Sequence, residues 1–203
     1  MPQPVNQPRR NGLSRDDIRQ AAVVAFSEKG YRGTNLQDVA SVLGVTRQAI
    51  YYYYSNKHAL LLEMFEEYFS DLDRALDEAL EGVVDPRLRF EAMLRAHGLT
   101  VARTPELSSI FTREYEALEP EARSSVRKRR RAYQQRFVEG FDVMGASGEA
   151  REMPASAAVS LMFGAANWTF RWYDHRRHEM SPEELADLVM SLFRSGYALP
   201  APS

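Results

Sequence analysis

Apolar residues recur along this chain at helical spacing, and the residues between the runs are those that start and stop helices. Ser14 stands in an N-cap position with Asp16 and Asp17 in the first turn. Ile18, Ala21, Ala22, Ala25 and Phe26 follow on one face, and Gly30 is placed to close the helix in a left-handed cap. Thr34 or Asn35 caps a second helix with Leu36, Val39, Ala40 and Leu43 inward. Gly44 and Val45 make a tight turn, and Thr46 caps a third helix reaching about Tyr53. A longer helix restarts near Asn56 with a stripe that includes Leu60, Leu61, Met64, Phe65, Tyr68 and Leu72, and it ends around Gly82.

The same punctuation continues. Asp85-Pro86 opens a helix to about Arg103, Thr104-Pro105 another to about Ala117, and Glu119-Pro120 a long one that stops at Gly145 to Gly148. Pro154 begins a charge-poor helix expected to run to about His175. Ser181-Pro182-Glu183-Glu184 caps a last one carrying Leu185, Leu188, Val189, Leu192 and Phe193. The pattern predicts an all-α fold of about nine helices with no strand. Three parts are expected: an N-terminal arm over 1–13, a small domain over 14–57 and a larger helical domain over 58–203.

At 203 residues the chain is long enough for a small domain joined to a larger one with a sizeable core. The absence of Cys excludes disulfides, thiolate metal sites and cysteine nucleophiles together. No apolar signal follows Met1, so a cytoplasmic protein is the expectation. The charge-free stretch from Pro154 to Phe170 is too short for a bilayer and contains Ser, Asn and Thr, so no membrane partner is expected. Net charge is −2, but residues 1–57 carry +4 and the remainder −6. A basic head on an acidic body suits nucleic-acid contact at one end, although basic patches also occur without it.

Two short helices joined by a Gly turn, the second opening on a polar cap, have helix-turn-helix spacing. In the second, Ile50 and Tyr54 fall inward, leaving Arg47, Gln48, Tyr51 and Tyr52 on the outer side. Arg and Gln match guanine and adenine edges in a major groove, while Thr46, Tyr hydroxyls and Lys57 can bond phosphate oxygens. Arg9 and Arg10 on the arm offer a minor-groove contact or a solvated tail.

The chain here resembles the TetR-type transcriptional repressors. The likeness rests on Ala25-Phe26, Gly30-Tyr31-Arg32-Gly33-Thr34, Val39-Ala40, Leu43-Gly44-Val45-Thr46, Ile50 to Tyr54, and Lys57 with Ala59-Leu60-Leu61. Tyr54 departs from the family's usual Phe, and Ser55 stands where many members carry a basic residue. The want of a catalytic motif argues separately against an enzyme, and no cofactor is expected. The resemblance implies a homodimer. Its N-terminal three helices bind an operator in double-stranded DNA, and the remainder holds an effector pocket and a four-helix dimer interface. It carries DNA contact onto Thr34, Thr46, Arg47, Gln48, Tyr51, Tyr52 and Lys57.

Asn167-Trp168, Trp172-Tyr173 and Ser181 to Asp187 look like the tail of TetR-type regulators of fatty-acid and sterol catabolism, which implies an acyl-CoA thioester as one candidate effector. Trp168 and Trp172 equally suit a dimer interface with Leu185, Leu188, Val189 and Leu192. Met93, Phe111, Phe137, Phe141, Met162 and Phe170 are candidates for an apolar tunnel, and equally for ordinary core. The run Arg127-Lys128-Arg129-Arg130-Arg131 offers cations for CoA phosphates or a solvated helix face. His97, His175 and His178 raise a metal reading, which fails for want of a third ligand placed by spacing. No phosphate loop, nucleophile elbow or paired-His motif is present. The expected function is a ligand-released DNA-binding repressor, homodimeric on a near-palindromic operator. The alternative is a non-regulatory helical protein that binds small molecules.

Overall fold

The computed structural model of the protein describes residues 12–148, 150–174 and 179–197. Among them are nine α-helices: α1 (Arg15–Gly33), α2 (Leu36–Leu43), α3 (Arg47–Tyr51), α4 (Lys57–Leu80), α5 (Pro86–Arg103), α6 (Pro105–Arg113), α7 (Pro120–Ala146), α8 (Ala155–Trp168) and α9 (Pro182–Tyr197). Two 3-10 turns, Tyr115–Ala117 and Thr169–Arg171, complete the elements. The fold is all-α. The chain divides into two compact units, Met1–Leu61 and Leu62–Ser203, so the boundary falls within α4.

In the first unit, Ser14 caps α1 by accepting from Asp17 N at 3.1 Å, and the Asp17 carboxylate returns the favour to Ser14 N at 3.0 Å. Gly30 does not end the helix in a left-handed cap as expected. Its φ of 70° and ψ of 158° put a kink there, after which a further turn reaches Gly33. Thr34 repairs the kink: its hydroxyl lies 2.7 Å from the Gly30 carbonyl and 3.1 Å from that of Ala25. Asn35, rather than Thr34, caps α2, accepting from Gln37 N and Asp38 N. Gly44 ends α2 at φ 68°, ψ 26°, a left-handed conformation that a residue with a Cβ enters only at a cost.

Helix α3 stops at Tyr51, short of the expected Tyr53, but Tyr53 N and Tyr54 N both bond the Ile50 carbonyl, so the chain stays coiled beyond its last full turn. Ile18, Ala22, Val39 and Ile50 are wholly buried and form the small core. Tyr54 is buried with them, and the Arg15 guanidinium lies 4.9 Å from its ring centroid.

In the second unit, α5 packs against α7 and α9, and α8 packs against α7 and α5. The α5–α7 approach is close because position 140 is Gly: a Cβ there would sit 3.0 Å from Met93 Sδ. Phe90 meets Phe141 edge-on at 5.3 Å, and Phe137 meets Phe163 at 4.7 Å. Fully burying such a ring contributes about 1.5–3 kcal/mol. Helices α5 and α9 are further joined by ion pairs Arg95–Asp187, Arg103–Glu183 and Arg194–Glu91. Helix α6 ends at Arg113, not Ala117, and α8 ends at Trp168, not His175. In each case a 3-10 turn takes over the last residues.

A polar chain runs through this apolar core. His97 on α5 is 3% exposed and stacks on Phe163 of α8 at 4.2 Å with the planes 14° apart. Its Nε2 is 3.1 Å from Asn167 Oδ1 and its Nδ1 is 3.3 Å from Tyr133 Oη. With Asn167 Oδ1 as acceptor, Nε2 carries the proton and Nδ1 accepts from Tyr133. Burial pushes the imidazole down to about 4, against the opposing pull of the Asn167 bond, so it is neutral at physiological pH.

Two outcomes follow. Thr34→Val should lower the stability of the first unit by about 1–2 kcal/mol, read from urea melts, because the one hydroxyl proton shared between the Gly30 and Ala25 carbonyls is lost in a buried place. His97 takes up a proton near its ordinary value of about 6.5 when unfolded, but only near 4 when folded. Its contribution is therefore complete above pH 6.5 and falls by roughly 3 kcal/mol as pH drops to 4. His97→Gln should flatten that part of the stability–pH curve, and an unchanged slope would refute the buried neutral imidazole.

Candidate nucleic-acid interface and effector cavity

The outer side of α3 is set by the burial of Ile50 and Tyr54, which fixes the helical phase. Thr46, Arg47, Gln48, Tyr51 and Tyr52 are exposed, Tyr52 at 85%. Thr46 Oγ1 accepts from Ala49 N at 3.3 Å, which caps the helix and leaves its own proton to give. Arg47 Nη2 donates to Tyr51 Oη at 2.6 Å, and the guanidinium lies 5.0 Å from that ring's centroid. Tyr53 turns away and donates its hydroxyl to the Leu13 carbonyl. No acid lies between Thr46 and Asn56, so the exposed face has donors and a cation with no competing carboxylate in that segment.

Two predicted contact residues are placed otherwise. Thr34 is 2% exposed, and its hydroxyl is spent on the Ala25 and Gly30 carbonyls. Lys57 Nζ donates to the Tyr31 and Thr34 carbonyls at 2.7 and 2.8 Å and sits 4.4 Å from the Tyr31 ring centroid. Both therefore hold the α1–α2 junction against the start of α4 rather than offering a free group to a ligand.

The second unit contains a cavity of about 420 Å³. Of the six residues predicted to form a tunnel, Phe111 alone lines it. Met93, Phe137, Phe141 and Met162 are buried in helix packing, Met93 against Gly140 and Phe137 against Phe163. Phe170 lies on a 3-10 turn, 6.0 Å from Trp168 and under Arg113.

The inner wall instead carries Tyr68, Phe69, His97, Tyr133 and Phe163, with Asn167 half-buried beside them. Tyr68 pairs its hydroxyl with Ser108 at 3.1 Å, and burial raises it to about 12. Tyr133 is raised as well, chiefly by burial, so both phenols stay protonated. Asn167 and His97 had each drawn attention in the sequence, one in a motif and one as a metal candidate. Nothing in their spacing told that they meet.

Only one member of the basic run reaches the cavity. Arg130 stands at its mouth, 5.4 Å from the Tyr115 ring centroid. Arg127 donates to Tyr115 Oη, Arg129 pairs with Asp73, and Lys128 and Arg131 are exposed. Among the described residues no group of three His, Asp or Glu could hold a metal ion, while His175, His178, Arg9 and Arg10 lie outside them. No helix among them is long and apolar enough to cross a membrane.

The predicted dimer residues divide. Trp168, Trp172, Leu188 and Leu192 are exposed, Leu192 at 68%, and Leu161 of α8 adds 71%. Leu185 and Val189 instead belong to the unit's own core, packed with Ala102 and Tyr173, and are not free for a partner.

Comparison with known proteins agrees with this arrangement. Residues 18–64 match the family described as bacterial regulatory proteins, tetR family, and residues 83–197 match the tetracyclin repressor-like C-terminal domain, more than half of the chain. The HTH-type transcriptional regulator YezE of Bacillus subtilis is 35% identical over 91 residues, 44% of this chain and 45% of that protein. The chain thus aligns with about half the length of the first curated relatives. The ketosteroid transcriptional regulator KstR2 of Mycobacterium tuberculosis superposes with a TM-score of 0.84 at 16% identity, covering 92% of this chain and 95% of that one. AibR, solved with isovaleryl coenzyme A and operator DNA, gives 0.78 at 21% identity over 88% and 96%. With both family domains matched in order along it, the chain belongs to the TetR family of bacterial regulatory proteins.

Proposed function

We propose that this protein is a transcriptional repressor that binds a near-palindromic operator as a homodimer and is released by a small-molecule effector. Residues 14–57 bind DNA, and residues 58–203 bind the effector and dimerise. The observation that carries the reading is the exposed side of α3, where Arg47, Gln48, Tyr51 and Tyr52 stand free of acids behind the Gly44 turn. Two such helices in a two-fold dimer enter successive major grooves, so half-site spacing mirrors the protein's symmetry. Arg47 and Gln48 read base edges, and Thr46 and the two Tyr hydroxyls bond phosphates. The exposed Trp168, Trp172, Leu188 and Leu192 face the second copy.

The effector occupies the cavity beneath Arg130. AibR's isovaleryl coenzyme A suggests an acyl-CoA thioester, whose phosphates would meet that guanidinium. Helix α4 carries Lys57 at one end and Tyr68 and Phe69 of the cavity wall further along. Effector binding biases the position of that helix, and it releases DNA to the extent that it prefers the non-binding state.

Arg47→Ala should weaken operator binding in a gel shift by about 10- to 100-fold, equivalent to ~1–3 kcal/mol, with far less effect on unrelated DNA. Equal loss on both would mean that Arg47 meets phosphate alone, and no binding by the parent protein would point to a small-molecule carrier. Leu192→Arg, on an exposed position, should convert the dimer to a folded monomer in sedimentation velocity and abolish operator binding. A persisting dimer would place the interface elsewhere.

A further inference from the structure

Deepening the effector reading, and resting on it, we propose that the cavity is built for the hydroxylated aromatic ring of an anionic ligand, a phenolic acid or its CoA thioester, and not for an alkyl acyl chain. Four observations carry this. More than half of the lining side chains carry rings: Phe111 lies 5.0 Å from Tyr68 and 5.1 Å from Phe69, and Phe163 stacks on His97 at 4.2 Å. Offset and edge-on ring contacts reward a flat aromatic guest over a flexible chain. The residues an alkyl tunnel would have used, Met93, Phe137, Phe141 and Met162, are consumed by helix packing.

The wall also holds a polar chain with spare valences. Tyr133 gives its one proton to His97 Nδ1, which leaves its oxygen able to accept. Asn167 gives its oxygen to His97 Nε2, and among the described residues its amide nitrogen has no bonded partner. A ligand hydroxyl donates to the first and accepts from the second. An alkyl chain covers the same groups and returns no bond, which is costly inside a cavity. Finally, the described cavity lining includes no Asp or Glu, and Arg130 at the mouth is its one cation. A carboxylate on the ring's tail, or a CoA phosphate beyond a thioester, supplies the same complementary charge. The volume of about 420 Å³ suits a small ligand.

Isothermal titration of the full-length protein tests this without DNA. The probes are 4-hydroxycinnamate, cinnamate, methyl 4-hydroxycinnamate, 4-hydroxycinnamoyl-CoA and octanoyl-CoA. Either 4-hydroxycinnamate or its CoA thioester should bind at least about tenfold more tightly than cinnamate and octanoyl-CoA, the value of one well-made hydrogen bond. Arg130→Gln, at an exposed position, should weaken the preferred probe about tenfold and leave the methyl ester unchanged. Preference for the free acid or the thioester identifies which anion meets Arg130. Octanoyl-CoA binding as tightly as the hydroxylated ring, or no binding by any probe to the folded protein, would overturn the proposal. Tight probe binding that fails to release operator would sink the effector reading and leave the ligand class standing.

Discussion

The second unit depends on one constraint: a buried polar group must be bonded or it costs more than it contributes. His97, Tyr133 and Asn167 come from α5, α7 and α8, and each satisfies the next. Three helices are thereby fixed in register around an imidazole that stays neutral because charging it there is too expensive. Apolar packing alone tolerates sliding and rotation of helices. Directed bonds at 3.1 and 3.3 Å do not, and the stack on Phe163 pins the ring's plane as well. The same network gives the cavity a polar wall among aromatic rings, so on the proposed reading the unit's stability and its choice of ligand come from the same atoms.

How much was legible in the sequence follows from how local each cause is. The helix-turn-helix was readable because caps and turns are decided within four residues: Ser14 with Asp17, Asn35 with Asp38, Gly44 between two apolar faces. Helical phase placed Ile50 and Tyr54 inward and four side chains outward, and burial follows that division. Thr34 and Lys57 were misplaced for the opposite reason. Their groups are claimed by carbonyls up to 26 residues away, which no window of periodicity contains. The cavity was barely legible. Spacing shows that Phe137 and Phe111 both belong to apolar faces, but a buried face can meet a neighbouring helix or a void. That choice is made by small residues such as Gly140, which lets α5 and α7 close up and fill the space around Met93.

Helix α9 makes the same point about angles. Its stripe reads as one continuous face, yet Leu185 and Val189 are claimed by the core while Leu188 and Leu192 remain outside. At about 100° per residue, positions three apart differ by roughly 60° around the axis. An apolar stripe that wide is only partly covered by one neighbour. The α5 side covers Leu185 and Val189 and is joined by Arg95–Asp187 and Arg103–Glu183, which leaves Leu188 and Leu192 exposed. On the proposed reading a second copy of the chain covers them.

The exposed side of α3 presents a different economy. A five-residue helix has little intrinsic stability, and an Arg free in solvent loses up to ~2 kcal/mol of rotamer freedom when it is fixed on a base. Here Arg47 is already ordered by the Tyr51 hydroxyl and ring, so part of that entropy is lost before any DNA arrives. On the proposed reading, exchange of the Tyr51 oxygen for a guanine edge or a phosphate keeps the guanidinium bonded throughout, and the phenol, which only accepts from Arg47, has its own proton to give to a phosphate. Arg47 and Tyr51 therefore act as a pair on the proposed reading, and the energetic effect of changing either one includes the disorder it creates in the other.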